Sequence, residues 1–127
     1  MIKKDLLIDL NLSEVAINKN GQELSLVFLS MIDGHEVARI KCQGLLVVNY
    51  QSDLSPLPLF VGKVTHEKCG VANSTNLLKR FGYGFTDLEG NLLLPNSESI
   101  NFVIVEGAEF EITVACLNVD ICRSKEI

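Results

Sequence analysis

The sequence contains no tryptophan, three prolines and two histidines, and its longest apolar runs, such as residues 45–48, fall far short of the ~20 residues that cross a bilayer as a helix. A helical membrane span is therefore excluded. No Cys-x-x-Cys pair is present, so the usual frame of a tetrahedral zinc site is missing. There is no glycine-rich phosphate loop ending in Lys-Ser or Lys-Thr, and no dinucleotide fingerprint. A net charge of −5 and a pI near 4.9 argue against coating nucleic acid or an anionic membrane, since both require clustered positive charge. Positive charge is scarcest at the end: residues 86–127 hold eight acidic side chains against Arg123 and Lys125, whereas residues 1–85 hold eight acidic and nine basic ones.

What is present is aliphatic and alternating. At 127 residues, 47% of them hydrophobic, the chain has material for one β-rich domain spanning residues 1–127. Leu6, Ile8, Leu10 and Leu12 alternate with Asp9 and Asn11, the period of two that a half-buried strand requires. Asn20-Gly21 and Asp33-Gly34 are turn dipeptides that bracket an apolar strand at 23–31. A two-residue turn at Asp33-Gly34 would set Val27 opposite Ile40, Leu29 opposite Ala38 and Ser25 opposite Cys42 on the core side. Phe28 with Arg39 and Leu26 with Lys41 would then face outward. Gly44 predicts a bulge or bend before a strand at 45–50, which Pro56 and Pro58 end, and a further strand follows at 59–66. The one helix signal is short: Asn73 or Ser74 as cap, Leu77, Leu78 and Phe81 as apolar side, Lys79 and Arg80 in the last turn, Gly82 as stop. A brief strand is expected at 92–94. Residues 100–105 and 110–121 form a hairpin through Glu106-Gly107-Ala108. Its second strand shifts apolar phase from Phe110, Ile112, Val114 and Cys116 to Leu117, Val119 and Ile121, which predicts a bulge at Cys116-Leu117. Residues 123–127 read as a frayed tail. The expected fold is mainly β, a single antiparallel sheet folded as a sandwich or half-barrel with one short helix.

The chemistry-bearing residues are few. Cys42, Cys69, Cys116 and Cys122 read as buried reduced thiols, because the N-terminal lysines are followed by no cleavage site and the chain is expected in the cytoplasm. His66 and Cys69 are close enough to share a metal with Cys42, or to act as base and thiol nucleophile. Neither arrangement is complete, and no Asp or Glu sits in an acid–base motif. The segment from Lys79 to Phe85 mixes basic and aromatic residues as single-strand RNA platforms do, but a helix stop and core aromatics account for it. The reading is non-enzymatic, without metal, cofactor, nucleic acid or membrane.

The remaining signal is the acidic end. With the bulge in place, Glu109, Glu111 and Asp120 project from one outer face and Glu106 stands at the hairpin tip, a surface suited to a basic protein partner. Small, acidic, β-rich and without catalytic motifs, the chain resembles the immunity proteins of bacterial toxin systems, through residues 106–120. That resemblance implies binding and neutralising a basic toxin domain. Residues 6–12, 22–31 and 36–50 also resemble the strands that open the SecB-type export chaperones. This second resemblance implies a homo-oligomer that holds unfolded chains on apolar strand faces.

Overall fold

The structure, a computed structural model, describes residues 2–18, 21–52, 59–91, 93–108 and 110–124. Six strands, β1 (Ile2–Ile17), β2 (Glu23–Leu29), β3 (Glu36–Ser52), β4 (Leu59–Gly70), β5 (Ser99–Gly107) and β6 (Phe110–Arg123), form one antiparallel sheet. The sheet closes into a barrel in the order β1-β2-β3-β6-β5-β4. Mainly β with one antiparallel sheet is what the alternation predicts; closure goes beyond a half-barrel.

Closure depends on long strands that outrun a partner on one edge. β1 pairs with β4 from Ile2 to Leu12 and with β2 from Asn11 to Ile17. β3 pairs with β2 over Glu36–Gln43 and with β6 from Ala38 to Ser52. Such strands must bend, and extra residues supply the bends: Leu6 and Ser13 in β1, Leu46 in β3 and Gly62 in β4 interrupt the register. Asp9 (φ 54°) and Gly44 (φ 67°) adopt left-handed backbone at the same bends. Glycine is favoured at 44, where the backbone is left-handed and a Cβ would stand 3.0 Å from that of Leu117, which would have to give way.

Alternate residues fill the barrel. Leu24, Leu26 and Phe28 face Cys42, Ile40 and Ala38, and Val103 and Val105 face Val114 and Ile112, all fully buried. Burying each large apolar side chain contributes ~1.5–3 kcal/mol. The β2–β3 register differs by one residue from the predicted one, and the faces of β2 are exchanged: Leu26 pairs with Ile40 and Phe28 with Ala38, while Val27 pairs with Arg39 and Ser25 with Lys41. The cause is the turn. Ser30 N–H donates to the His35 carbonyl and Gly34 N–H to the Ser30 carbonyl, closing a four-residue rather than a two-residue loop.

The phase change in β6 is present, but the extra residue lies on the partner strand, at Leu46. Leu117 instead crosses Gly44, where β6 leaves β5 and continues along β3 alone. Residues 93 and 94 are not strand, and Leu92 lies outside the described residues, as do Pro56 and Pro58. Arg123 and Ser124 are not frayed: the Arg123 guanidinium donates to the Leu6 carbonyl at 3.0 Å, and Ser124 N–H donates to the Val37 carbonyl at 2.8 Å.

Between β4 and β5 the chain leaves the barrel. A 3-10 turn (Val71–Asn73) leads to α1 (Thr75–Arg80), which Gly82 ends at φ 100°. Ser74 stands at the N-cap position, but its hydroxyl donates to the Val71 carbonyl instead of capping α1. Leu78 and Tyr83 pack outside the barrel on Cys69, Ile100, Phe102 and Ala115, a second and smaller core.

Candidate functional site

Phe102, Ile104 and Glu106 alternate with the inward Val103 and Val105, so they point outward. Cross-strand pairs then define rows on the outer face. Gln51, Glu111, Glu106, Lys63 and Ile8 form one row; Asn49, Thr113, Ile104, Thr65 and Asp5 form the next. Glu106 and Glu111 are thus direct neighbours, both exposed, and like charges facing each other across strands are destabilising.

The predicted acidic surface is distributed more widely than one patch. Asp120 is exposed on the outer side of β6, but nine residues from Glu111, or ~30 Å along a strand. Its cross-strand neighbour is Lys41, and that of Glu106 on the β4 side is Lys63. Ion pairs among the described residues join Lys3 to Glu67, Asp33 to His35 and Glu36 to Arg39, and involve none of Glu106, Glu111 and Asp120. Glu109 lies outside the described residues.

His66 and Cys69 are not brought together. His66 aligns with the inward Val103 and Cys69 with Ile100 on the outer core, so the two side chains leave opposite faces of β4. His66 Nε2 donates to Asn101 Oδ1 at 2.7 Å, and Asn101 Nδ2 donates to the Leu117 carbonyl at 2.8 Å, a structural chain of bonds across three strands. Burial pushes the Cys69 thiol up, away from thiolate chemistry. Cys42 and Cys116 meet inside the barrel, where their mutual hydrogen bond and burial raise the Cys42 thiol strongly, whereas Cys122, expected to be buried, is exposed near the end of β6. Among the described residues no group of three or more His, Cys, Asp or Glu can hold a metal ion.

Sequence reasoning missed the stretch after α1. Residues 83–91 and 93–97 have little regular structure, yet they are tied down. Tyr83 hydroxyl donates to the Leu93 carbonyl, Leu93 N–H donates to the Phe85 carbonyl at 2.7 Å, and the Tyr83 and Phe85 rings stack edge to face at 5.5 Å. Asp87 organises the tip: its Oδ1 accepts the Glu89 and Asn91 amides at 2.9 Å each, and Gly90 (φ 86°) closes the turn. The Asn91 and Glu89 amides hold the Asp87 carboxyl below the usual carboxylate range. The tip displays Leu88 with no shielding at all (106% exposed), between two carboxylates, with Phe85 (67%) and Leu93 (51%) also open. The available signal was the length of the stretch, since long irregular loops are uncommon in compact domains and, where ordered, are frequent carriers of binding residues.

A second open feature is the far half of β3. Beyond Leu45 its pairing is with β6 alone, so one flank of residues 46–52 has no strand partner among the described residues, and Val48 and Tyr50 are exposed there.

The fold is similar to the crystal structure of an uncharacterized protein from Neisseria gonorrhoeae: TM-score 0.67 and 18% identity over 95% of this chain and 97% of that chain. Likeness at that identity carries the fold alone. No curated protein matches the chain. A family model described only as "-like", with no activity stated, matches residues 5–122, from within β1 to within β6, and the chain belongs to that family.

Proposed function

We propose that the protein is a non-enzymatic protein-binding module of the immunity type, acting in the cytoplasm, whose acidic last third docks on a basic toxin domain. The observation that supports this best is the tip of the 83–97 loop, where an ordered turn holds Leu88 in solvent between Asp87 and Glu89. An apolar side chain fully in water costs free energy, and a turn that fixes it there lowers the ordering cost of docking. The flanking carboxylates select a pocket with a basic rim. Glu106 and Glu111 are a second acidic feature, and a cationic partner would relieve their mutual repulsion. No helix among the described residues is long and apolar enough to cross a membrane.

The test is complex formation with a basic protein encoded by the adjacent gene, measured by calorimetry over a series of salt concentrations. The expected result is a one-to-one complex that weakens with salt, with Leu88→Ser and with the double change Glu106→Lys/Glu111→Lys. Absence of a complex, or one indifferent to all three, overturns the proposal.

The exposed Val48 and Tyr50 on the free flank of β3 favour a second reading, a homo-oligomeric holding chaperone of the SecB kind. That reading requires a stable oligomer by light scattering and suppressed aggregation of unrelated unfolded proteins, with no effect from Leu88→Ser.

A further inference from the structure

α1 does not lie flat on the barrel. Between it and the outer face of the β4–β5 pair remains a cleft of about 270 Å³ lined by Glu67, Leu77, Arg80, Phe81, Phe102 and Ile104. Its floor follows from strand register: Phe102 is the cross-strand partner of Glu67, and Ile104 is the next outward residue of β5. Its roof follows from helical spacing, since Leu77 and Arg80 are three residues apart and share one side of α1.

Two opposite charges open into this apolar cleft without meeting each other. The Glu67 side chain is only 14% exposed and has the well-solvated Lys3 ammonium 3.7 Å away, a pair of little strength at that distance and exposure. The Arg80 guanidinium lies 5.4 Å from the centre of the Phe81 ring and forms no ion pair with a described carboxylate. Beside them, on the same outward row as Ile104, the Thr65 hydroxyl is buried and has no hydrogen-bond partner among the described residues. Such groups are uncommon in folded proteins; this one borders the cleft through its cross-strand neighbour Ile104 without lining it.

We infer that this cleft is a binding site for a free apolar α-amino acid. Its ammonium meets Glu67, its carboxylate meets Arg80, and its side chain rests on Leu77, Phe102 and Ile104. A ligand with a single charge would engage only one of the two cleft charges, whereas a zwitterion engages both. Polyanions are disfavoured by Glu67. The volume, about 270 Å³, lies below the ~300 Å³ at which pockets for drug-sized ligands begin, which suits a ligand of amino-acid size.

The test uses the full chain and three probes: L-phenylalanine, 3-phenylpropionate, which lacks the ammonium, and phenethylamine, which lacks the carboxylate. Amide chemical shifts are followed during titration to about 10 mM, the range in which weak sites of this size saturate. Saturable shifts confined to residues around Glu67, Arg80, Phe102 and Ile104 are expected for phenylalanine, with roughly tenfold weaker binding of each truncated probe. Arg80→Gln, at the exposed end of α1, should bind phenethylamine as well as phenylalanine. Glu67→Gln should bind phenylpropionate as well as phenylalanine. No saturable shifts, equal binding of all three probes, or a discrimination unchanged in both variants overturns the assignment. Because Leu88 lines no part of the cleft, Leu88→Ser leaves the titration unchanged, and the result is independent of the docking proposed above.

Discussion

The barrel and the excursion from 71 to 98 spend apolar residues in opposite ways. Within the barrel, Phe28, Leu26, Ile40 and Ile112 are wholly enclosed, each placed by pairing between strands distant in sequence. In the excursion, Leu78 and Tyr83 are covered, while Phe85, Leu88 and Leu93 stand in water on a backbone held by local hydrogen bonds. Burial is cooperative in the first region, so its side chains report on global stability. In the second, order is local and largely decoupled from the core, which leaves its side chains free to serve a partner.

One residue type tests that contrast in both places. Phe28→Ala removes a ring from a closed interior and should cost ~3–5 kcal/mol, enough to unfold much of the population of a marginally stable domain. Phe85→Ala removes a ring that is two-thirds exposed, and should change stability by less than ~0.5 kcal/mol. Denaturant unfolding of the two variants measures both. Comparable losses would mean that the loop is part of the cooperative unit and that its exposed residues are not spare.

A smaller effect of opposite sign is expected on the hairpin. Glu106 and Glu111 face each other, so Glu111→Lys replaces repulsion by attraction and should stabilise the isolated protein by ~0.2–1 kcal/mol in the same assay. A gain in stability accompanied by weaker partner binding would identify a pair kept for function. A loss would show that Lys63 already neutralises Glu106, and that the hairpin face is ordinary solvated surface.

These contrasts also explain what could be read beforehand. Alternation of apolar and polar residues in β1, β5 and β6 is a local signal, and it identified the fold class. Register in β2 was not legible, because Leu24–Leu29 is apolar on both faces and even the outward Val27 is nearly covered; periodicity then selects no phase. The short helix was legible from Leu77, Leu78 and Gly82, but the role of Ser74 was not, since its hydroxyl turned back to Val71. Barrel closure left no local trace, as it depends on β1 passing from β4 to β2 and on β3 outrunning β2 while it stays paired with β6. For the acidic residues, exposure was legible. Their lysine neighbours were not, because Lys63 and Lys41 arrive from strands about 40 to 80 residues away in sequence. Leu88 carried no motif, only the length of the loop around it.

The last and mildest perturbation is acid, and it separates the two regions by chemistry instead of size. Asp87 is ionised in the ordered loop, where the Asn91 and Glu89 amides donate to it and lower its pKa below the ordinary 3.8. A carboxyl depressed on folding supports the folded form above its unfolded pKa. That support disappears as the pH falls from about 3.8 through the lower folded value. The buried residues described in the barrel and beneath α1 include no acidic side chain; their polar members are Thr65, Ser74, Asn101 and Thr113. The carboxyls held below their usual range therefore lie outside the barrel interior, Asp87 at the loop tip and Asp33 in the β2–β3 turn, where His35 lowers it. Amide exchange at 87–91 should accelerate below pH ~3.8 while amides of β2, β3 and β6 stay protected, and Asp87→Asn should abolish the pH dependence of that local opening. Loss of protection in both regions at one pH would break the separation, because it would show that the turn displaying Leu88 is held by the barrel and not by Asp87.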